Sequence, residues 1–170
     1  MASRTAMLAI LPVMAIGLSG CLGYRTGTSL PASISSVHVA TFVNKVGEPD
    51  IETTATSATI REFQKDGSLK VLGEDEADTI VETTLSGMAL EPLRYSRDRA
   101  TETTEFRLLL TADVVFKDRK SGKIISSHKQ LTGKTTFDPA GDLSSAKRLA
   151  IQPAAQDLAH EIVAAVVEAW

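Results

Sequence analysis

The chain has 170 residues, of which 43% are hydrophobic and 23% charged, and its formal net charge is −3. This mild acidity argues against a nucleic-acid partner, which would require a basic surface. The single cysteine, Cys21, excludes a disulfide within the chain, so a packed core has to stabilise the fold. After the N-terminal segment, no apolar run approaches the roughly 20 residues of a membrane-spanning helix.

The N-terminal segment has the pattern of an export signal. Arg4 supplies a positive charge, and the apolar run 6–18 is too short to span a membrane. The run ends in the tetrad Leu18-Ser19-Gly20-Cys21, which resembles the lipobox of bacterial lipoproteins. The resemblance implies that residues 1–20 are a cleaved signal peptide, that the Cys21 sulfur carries a diacylglycerol, and that the new amine carries an acyl chain such as palmitate. The alternative is a soluble exported protein with a free thiol, which would be a liability in an oxidising compartment.

Cleavage before Cys21 would leave 150 residues, enough for one domain, with a net charge of −4 because the formal −3 includes Arg4. Residues 21–33 are rich in Gly, Ser and Thr and predict a lipidated tether, so the folded domain is expected at 34–170. Leu22 follows the cysteine, whereas enteric-type lipoproteins retained in the inner membrane tend to have aspartate there. By this resemblance we expect an anchor in the inner leaflet of the outer membrane.

The domain begins with a predicted strand and a predicted helix. Residues 34–42 alternate between the two faces of a strand, and the Gly- and Pro-containing segment 44–49 predicts a loop. Asp50 is expected to cap a helix over 51–65 through its side chain. The helix is rich in threonine and poor in helix propensity, so packing has to stabilise it.

The end of this helix and the following segment have clear signals. Ile60 and Phe63 are expected on the apolar face of the helix, and Gly67 suits the left-handed residue that ends it. A short strand is predicted at 69–72. The acidic run 74–78 predicts a solvated turn.

Two long β segments follow. The first, 79–93, contains Gly87, which predicts a bulge, and Pro92, which a sheet tolerates only near a strand end or at an edge. The second, 102–117, has the clearest two-residue period in the chain. Its apolar face, expected to form the core under the helices, consists of Phe106, Leu108, Leu110, Ala112, Val114 and Phe116.

A hairpin turn at 118–122 leads into a third long β segment, 123–137. The C-terminal segment then predicts a helix that Ser144 can cap and in which Pro153 either causes a kink or begins a second helix. Apolar residues recur there at helical spacing: Leu158, Ile162, Val163, Val166 and Trp170. The order of elements predicts an α+β two-layer sandwich, with two helices packed on one face of a mostly antiparallel four-stranded sheet.

No group of histidines has the spacing of a metal site. His38 and His128 fall on predicted strands, and His160 falls on the polar side of the last helix. Glu48, Asp50 and Glu52 could bind calcium, although acids at the start of a helix explain them more simply. We therefore expect neither a metal site nor a cofactor.

No catalytic constellation stands out either. The tripeptide Gly133-Lys134-Thr135 ends like a phosphate loop, but position 128 is histidine where the Walker A motif requires glycine. The tripeptide also lies inside a predicted strand. A nucleophile–base arrangement is equally hard to identify, so we expect no enzyme.

Several segments of the mature chain, in this order, resemble the LptE family of lipopolysaccharide-assembly lipoproteins. They are residues 23–25, 30–31, 47–52, 77–78, 90–95, 105–114, 118–123 and 157–159. The resemblance covers almost the whole mature chain, and its weight comes from the order of the segments. It implies two helices on a four-stranded sheet and a protein that plugs the LptD β-barrel. It also implies a role in inserting lipopolysaccharide into the outer leaflet.

Two basic clusters are candidates for contact with the lipid A phosphates, because arginine pairs with phosphate through two parallel hydrogen bonds. They are Arg94, Arg97 and Arg99 in one loop, and Arg119, Lys120 and Lys123 in a hairpin turn. Hairpin connectivity predicts that they lie at opposite ends of strand 102–117, so only one can face a given lipid A. Ordinary charged loop tips are the alternative interpretation of each cluster.

Two other functions compete with this one. A periplasmic regulatory lipoprotein that activates a peptidoglycan synthase would need a long tether, and about a dozen residues at roughly 3.5 Å each are far too short to cross the periplasm. A lipid-anchored hydrolase would need the nucleophile and base that we do not find.

Overall fold

The chain alternates between one edge of a sheet and the helices that cover it. The computed structural model describes residues 33–97, 103–139 and 141–168. Within these ranges lie the strands β1 (Ser36–Val39), β2 (Val43–Asn44), β3 (Lys70–Val71), β4 (Thr79–Tyr95), β5 (Thr103–Asp118) and β6 (Ile124–Phe137). The helices are α1 (Ile51–Asp66) and α2 (Leu143–Val167). No helix in these ranges is long and apolar enough to cross a membrane.

The sheet is mixed, and the prediction of four mostly antiparallel strands is wrong in number and partly in direction. In the described residues it has six strands in the order β3-β1-β4-β5-β6, and β2 pairs with β4. β4, β5 and β6 are antiparallel neighbours, whereas β1 runs parallel to both β3 and β4. Parallel pairing follows from α1, because a helical crossover returns the chain to the end at which β1 began.

The core lies between the sheet and both helices. The predicted strand register is confirmed, because Leu108, Leu110 and Phe116 of β5 are completely buried. α2 packs on β5 and β6, while α1 packs beside α2 and against β1 and β3. The two-layer arrangement, with both helices on one face of the sheet, is therefore as predicted.

The buried side of α1 is built largely from small residues. Phe63 is fully buried as expected, but Ile60 is only half-buried. Thr56 and Thr59 lie in the core, where their hydroxyls donate to the carbonyls of Glu52 and Ala55 one turn earlier. These bonds satisfy polar atoms that would be costly to bury unpaired, and they explain how a threonine-rich helix packs against apolar neighbours.

The start of α1 differs from the prediction. Asp50 occupies the cap position with a φ of 61°, and its side chain makes no capping hydrogen bond. Asn44 organises this loop instead, since its amide donates to Glu52 Oε2 at 2.8 Å and its oxygen accepts from Val46 N and Gly47 N. A left-handed backbone at Asp50 turns the carboxylate away from the helix, which is why the expected bond does not form.

The other helix ends are clear in the structure. Gly67 ends α1 in the left-handed region at φ 75°, as predicted, and its N–H donates to Phe63 O. α2 is capped by Asp142 rather than by Ser144, because the Asp142 carboxylate accepts from the backbone N–H groups of Ser144 and Ser145.

Pro153 lies inside α2, which runs unbroken from Leu143 to Val167, so it does not begin a second helix. Proline removes one hydrogen bond to the carbonyl four residues earlier. That residue is Leu149, which is 78% exposed, so water can reach the carbonyl.

β4 has the irregularities that its sequence predicts. The register with β5 shifts between Leu85 and Gly87, which is the expected bulge. β2 pairs with β4 at Thr84 and Leu85, and in the described part of the sheet no strand pairs with this edge of β4 further along. Pro92 therefore lies on a free edge, where its missing N–H costs no ladder hydrogen bond.

Candidate functional site

The N-terminal segment joins the domain at Asp78. The Oδ2 atom of this carboxylate accepts from Ser36 Oγ at 2.7 Å, from Ser35 Oγ at 2.9 Å and from Ser35 N at 3.1 Å. Hydrogen bonds from the Ser36 side chain and from the Ser35 backbone and side chain hold the pKa of Asp78 below its usual value. The acidic run 74–78 is therefore not entirely a solvated turn, because Ala77 is buried and Asp78 is half-buried.

The turn between β5 and β6 lies at this same end. Arg119 N donates to Asp78 O at 2.9 Å, and the Arg119 Nε donates to Ala77 O at 2.6 Å. Asp118 accepts from the Ser121 backbone and hydroxyl at 2.7 and 2.6 Å, which closes the turn. Lys120 and Lys123 are exposed on it.

The electrostatics of this end are mixed. Glu74, Asp75 and Glu76 form an exposed turn directly before the Ala77 carbonyl that holds Arg119. Because these carboxylates lie close to the basic turn, they offset the attraction that Arg119, Lys120 and Lys123 could exert on an anion.

The other basic cluster lies at the opposite end, as predicted. Arg94 closes β4 near Glu105 of β5, with 3.4 Å between Arg94 Nε and Glu105 Oε2. The Arg94 side chain is 78% exposed, and Arg97 is also exposed. Arg99 lies outside the described residues. Next to Arg94 is a surface hollow of about 400 Å³ lined by Thr104, Glu105, Thr136, Phe137 and Asp138.

The two clusters are separated by the length of β5. Thr79 at the start of β4 pairs with Asp118 at the end of β5, whereas Arg94 pairs with Glu105 near the start of β5. A strand rises about 3.3 Å per residue, so the 16 residues of β5 span about 50 Å. The sheet thus brings Arg119, Lys120 and Lys123 close to the junction with the N-terminal segment and places Arg94 and Arg97 far from it.

The histidines are dispersed, as expected. His38 Nδ1 lies 3.3 Å from Leu72 O, and His160 Nδ1 lies 3.3 Å from Glu62 Oε1. His128 is half-buried, and its Nε2 has no hydrogen-bond partner. Over the described ranges, no group of three or more His, Cys, Asp or Glu side chains could hold a metal ion.

Solved structures share this fold at low sequence identity. Protein XCC0632 from Xanthomonas campestris is 10% identical with a TM-score of 0.53, covering 81% of this chain and 88% of that one. Hypothetical protein CT253 from Chlamydia trachomatis is 11% identical with a TM-score of 0.51, and the coverage is 78% and 95%. Uncharacterized lipoprotein B from Nitrosomonas europaea is 14% identical with a TM-score of 0.50, and the coverage is 84% and 90%. At such identities the likeness concerns the fold alone.

Sequence comparison is more specific. No curated protein sequence is significantly similar to this chain. The family model LptE, described as lipopolysaccharide-assembly, matches residues 34–166, which include every strand and nearly all of both helices. The matched segment is the folded domain expected from the sequence, and the chain therefore belongs to the LptE family of lipopolysaccharide-assembly proteins.

Proposed function

We propose that this chain is an outer-membrane lipoprotein that plugs an LptD-type β-barrel and assists the insertion of lipopolysaccharide into the outer leaflet. The observation that carries the proposal is the family match over residues 34–166. The lipobox-like tetrad ending at Cys21 supports a lipid anchor, and the short segment before Ser35 keeps the domain near the membrane. The protein acts by binding and has no enzymatic role.

The distribution of charge supports one of the two basic clusters as the lipopolysaccharide contact. With the lipid on Cys21, the Asp78 end of the domain lies next to the inner leaflet, and Arg94 and Arg97 point away from it. Arg119 is engaged by the Ala77 carbonyl and has carboxylates nearby, whereas the exposed Arg94 has only Glu105 at 3.4 Å. We infer that the Arg94, Arg97 and Arg99 loop contacts lipid A phosphates inside the barrel.

Replacing Cys21 with Ala should prevent lipidation and leave an uncut or mislocalised precursor, because no other cysteine is present to accept the lipid. The measurement is the size and membrane fraction of the chain in cells. Normal-size mature protein in the outer-membrane fraction of this variant would contradict the anchor.

The chain should co-purify with a large outer-membrane barrel in a one-to-one complex from detergent extract, and depleting the chain should reduce barrel assembly and surface lipopolysaccharide. Recovery of a peptidoglycan synthase without a barrel would favour the regulatory lipoprotein instead. A pull-down with no barrel, together with unchanged surface lipopolysaccharide after depletion, would refute the proposal.

Reversing the charges of Arg94, Arg97 and Arg99 should weaken lipopolysaccharide binding by at least about tenfold, since charge-assisted hydrogen bonds to phosphate are lost. The matched control reverses Arg119, Lys120 and Lys123, which changes the net charge equally, and we expect a small effect. Both variants should fold normally because exposed charges contribute little to stability. The difference should shrink at high salt, where the wild-type attraction is already screened. Equal affinities of the two variants would refute the assignment of this loop.

A further inference from the structure

The two helices lie side by side and run in the same direction. Lys147 near the start of α2 contacts Glu48, just before α1, with 2.7 Å between Lys147 Nζ and Glu48 Oε2. Further along, His160 of α2 lies beside Glu62 of α1. The first turns of both helices therefore flank one groove on the helical layer, on the far side of that layer from the sheet.

This groove has a volume of about 380 Å³ and a polar, basic lining. Its polar lining consists of Thr53, Thr54, Ser57, Arg61, Arg148 and Gln152. Thr53, Ser57 and Arg61 are spaced four residues apart, so they form one stripe along α1. Arg148 and Gln152 form the matching stripe on α2, and no acidic side chain of the described chain lines the groove.

Both guanidinium groups lack a counter-ion within the protein. In the part of the chain that the structure describes, neither Arg61 nor Arg148 forms a hydrogen bond or an ion pair. Two cations that line one groove repel each other, which is unfavourable unless solvent or an anion compensates. This is unusual in a chain with a net negative charge.

The nearby carboxylates are engaged elsewhere. Glu48 pairs with Lys147, and Glu52 accepts from the Asn44 amide. Glu62 contacts Lys65 and His160. These partners leave the positive charges of the groove uncompensated.

Asp142 is also committed, because its two oxygens cap α2. It accepts from Ser144 N at 3.0 Å and from Ser145 N at 3.2 Å. Hydrogen bonds from Ser145 and Ser144 hold its pKa below the usual value, so the group stays ionised in this role. Arg148, two turns into the helix, therefore does not gain a hydrogen-bonded carboxylate from it.

We propose that this groove binds a phosphate-bearing anion, a phosphate monoester or a pyrophosphate, between Arg61 and Arg148. Each guanidinium presents a planar fork of donors that matches phosphate oxygens, and two forks from facing helices suit a dianion better than a single carboxylate. The Thr53 and Ser57 hydroxyls, one helical turn apart, supply further donors, whereas Thr54 Oγ1 already donates to Asp50 O. The groove lies on the helices, away from both basic loops, and its binding does not depend on a barrel or on lipopolysaccharide.

The test is direct binding to the purified full chain in detergent, measured by titration calorimetry at constant ionic strength. The probes are inorganic pyrophosphate and dihexanoyl phosphatidic acid below its micelle concentration, which separate a free phosphate compound from a lipid headgroup. The variant is Arg61→Gln with Arg148→Gln. The control is Lys45→Gln with Lys129→Gln, which removes the same charge from two exposed positions outside the groove.

We expect the groove variant to lose at least about tenfold in affinity for pyrophosphate, and the control to stay within about twofold. If phosphatidic acid binds at least about tenfold tighter than pyrophosphate and depends on the same arginines, the occupant is a lipid headgroup. Similar affinities of the two probes assign a soluble phosphate compound. Equal losses in the groove variant and the control, or no binding of either probe up to about 10 mM, would overturn the proposal. Unfolding curves that match those of the wild type exclude misfolding as the cause.

Discussion

Replacing Gly133 with Ala should destabilise the protein more than any exposed substitution, because α2 touches the strand backbone at this position. A Cβ added at Gly133 would lie 2.5 Å from Ala154 O and from Leu158 Cβ, and closer still to Leu158 N. Two of these atoms belong to the backbone of α2 and cannot rotate away. The helix would have to move off β6, and we expect a loss of about 1–3 kcal/mol or more in the free energy of unfolding.

The contact between α2 and β6 has a second component nearby. Lys134 N donates to Asp157 Oδ2 at 2.9 Å, so a displaced helix would also lose the bond that satisfies this N–H. The unfolded chain works in the opposite direction, because alanine reduces its entropy and stabilises by about 0.4–1 kcal/mol where the native backbone permits it. The steric term should dominate.

Gly87→Ala is the matched control for this prediction. Gly87 also lies within a strand, but its added Cβ would meet Thr111 Cβ at 3.6 Å, an ordinary contact. We expect a change within about 1 kcal/mol, and urea unfolding of both variants measures the difference. Similar midpoints for the two variants would show that α2 does not approach β6 this closely.

Replacing Leu110 with Ala should cost about 2–5 kcal/mol, because the side chain is 0% exposed and its removal leaves a cavity beneath the helices. Its neighbours on the same face of β5, Leu108 and Ala112, are equally buried and cannot fill the space without shifting the strand. Denaturant unfolding measures the loss.

Arg107→Ala is the control in the alternate register of β5. Arg107 NH1 lies 3.7 Å from Glu91 Oε2, and both side chains are largely exposed, at 40% and 49%. Such a pair contributes little, so the cost should stay below about 1 kcal/mol. Comparable losses at Leu110 and Arg107 would mean that the opposite face of β5 is buried, since a shift of one residue exchanges the faces of a strand.

Several features were predictable because they depend on neighbours close in sequence. The alternation over 102–117 identified both the strand and its buried face, since side chains of a strand alternate whatever strand lies beside it. Gly67 ends α1 as expected, because a left-handed residue favours glycine in any helix end. The placement of the two basic clusters at opposite ends followed from hairpin connectivity alone.

Local signals failed where two options of similar strength competed. Asp50 and Ser144 are both good capping residues by type. The backbone at Asp50 is left-handed and Asn44 holds the loop, while Asp142 lies two residues before Ser144 and reaches the same N–H groups. The threonines of α1 indicated a weak helix, but their placement in the core was not evident from propensity.

The sequence by itself determined the secondary structure of this domain, its buried strand face, its likeness to a lipoprotein family and the absence of an obvious catalytic motif. The tertiary structure decided which strands run parallel, which end receives the N-terminal segment, and why position 133 is glycine. It also decided that Arg61 and Arg148 share a groove, although they lie 87 positions apart. The physical reason is that periodicity and turn chemistry act over a few residues, whereas strand order, helix–strand approach and charge neighbourhoods depend on segments that meet only after folding.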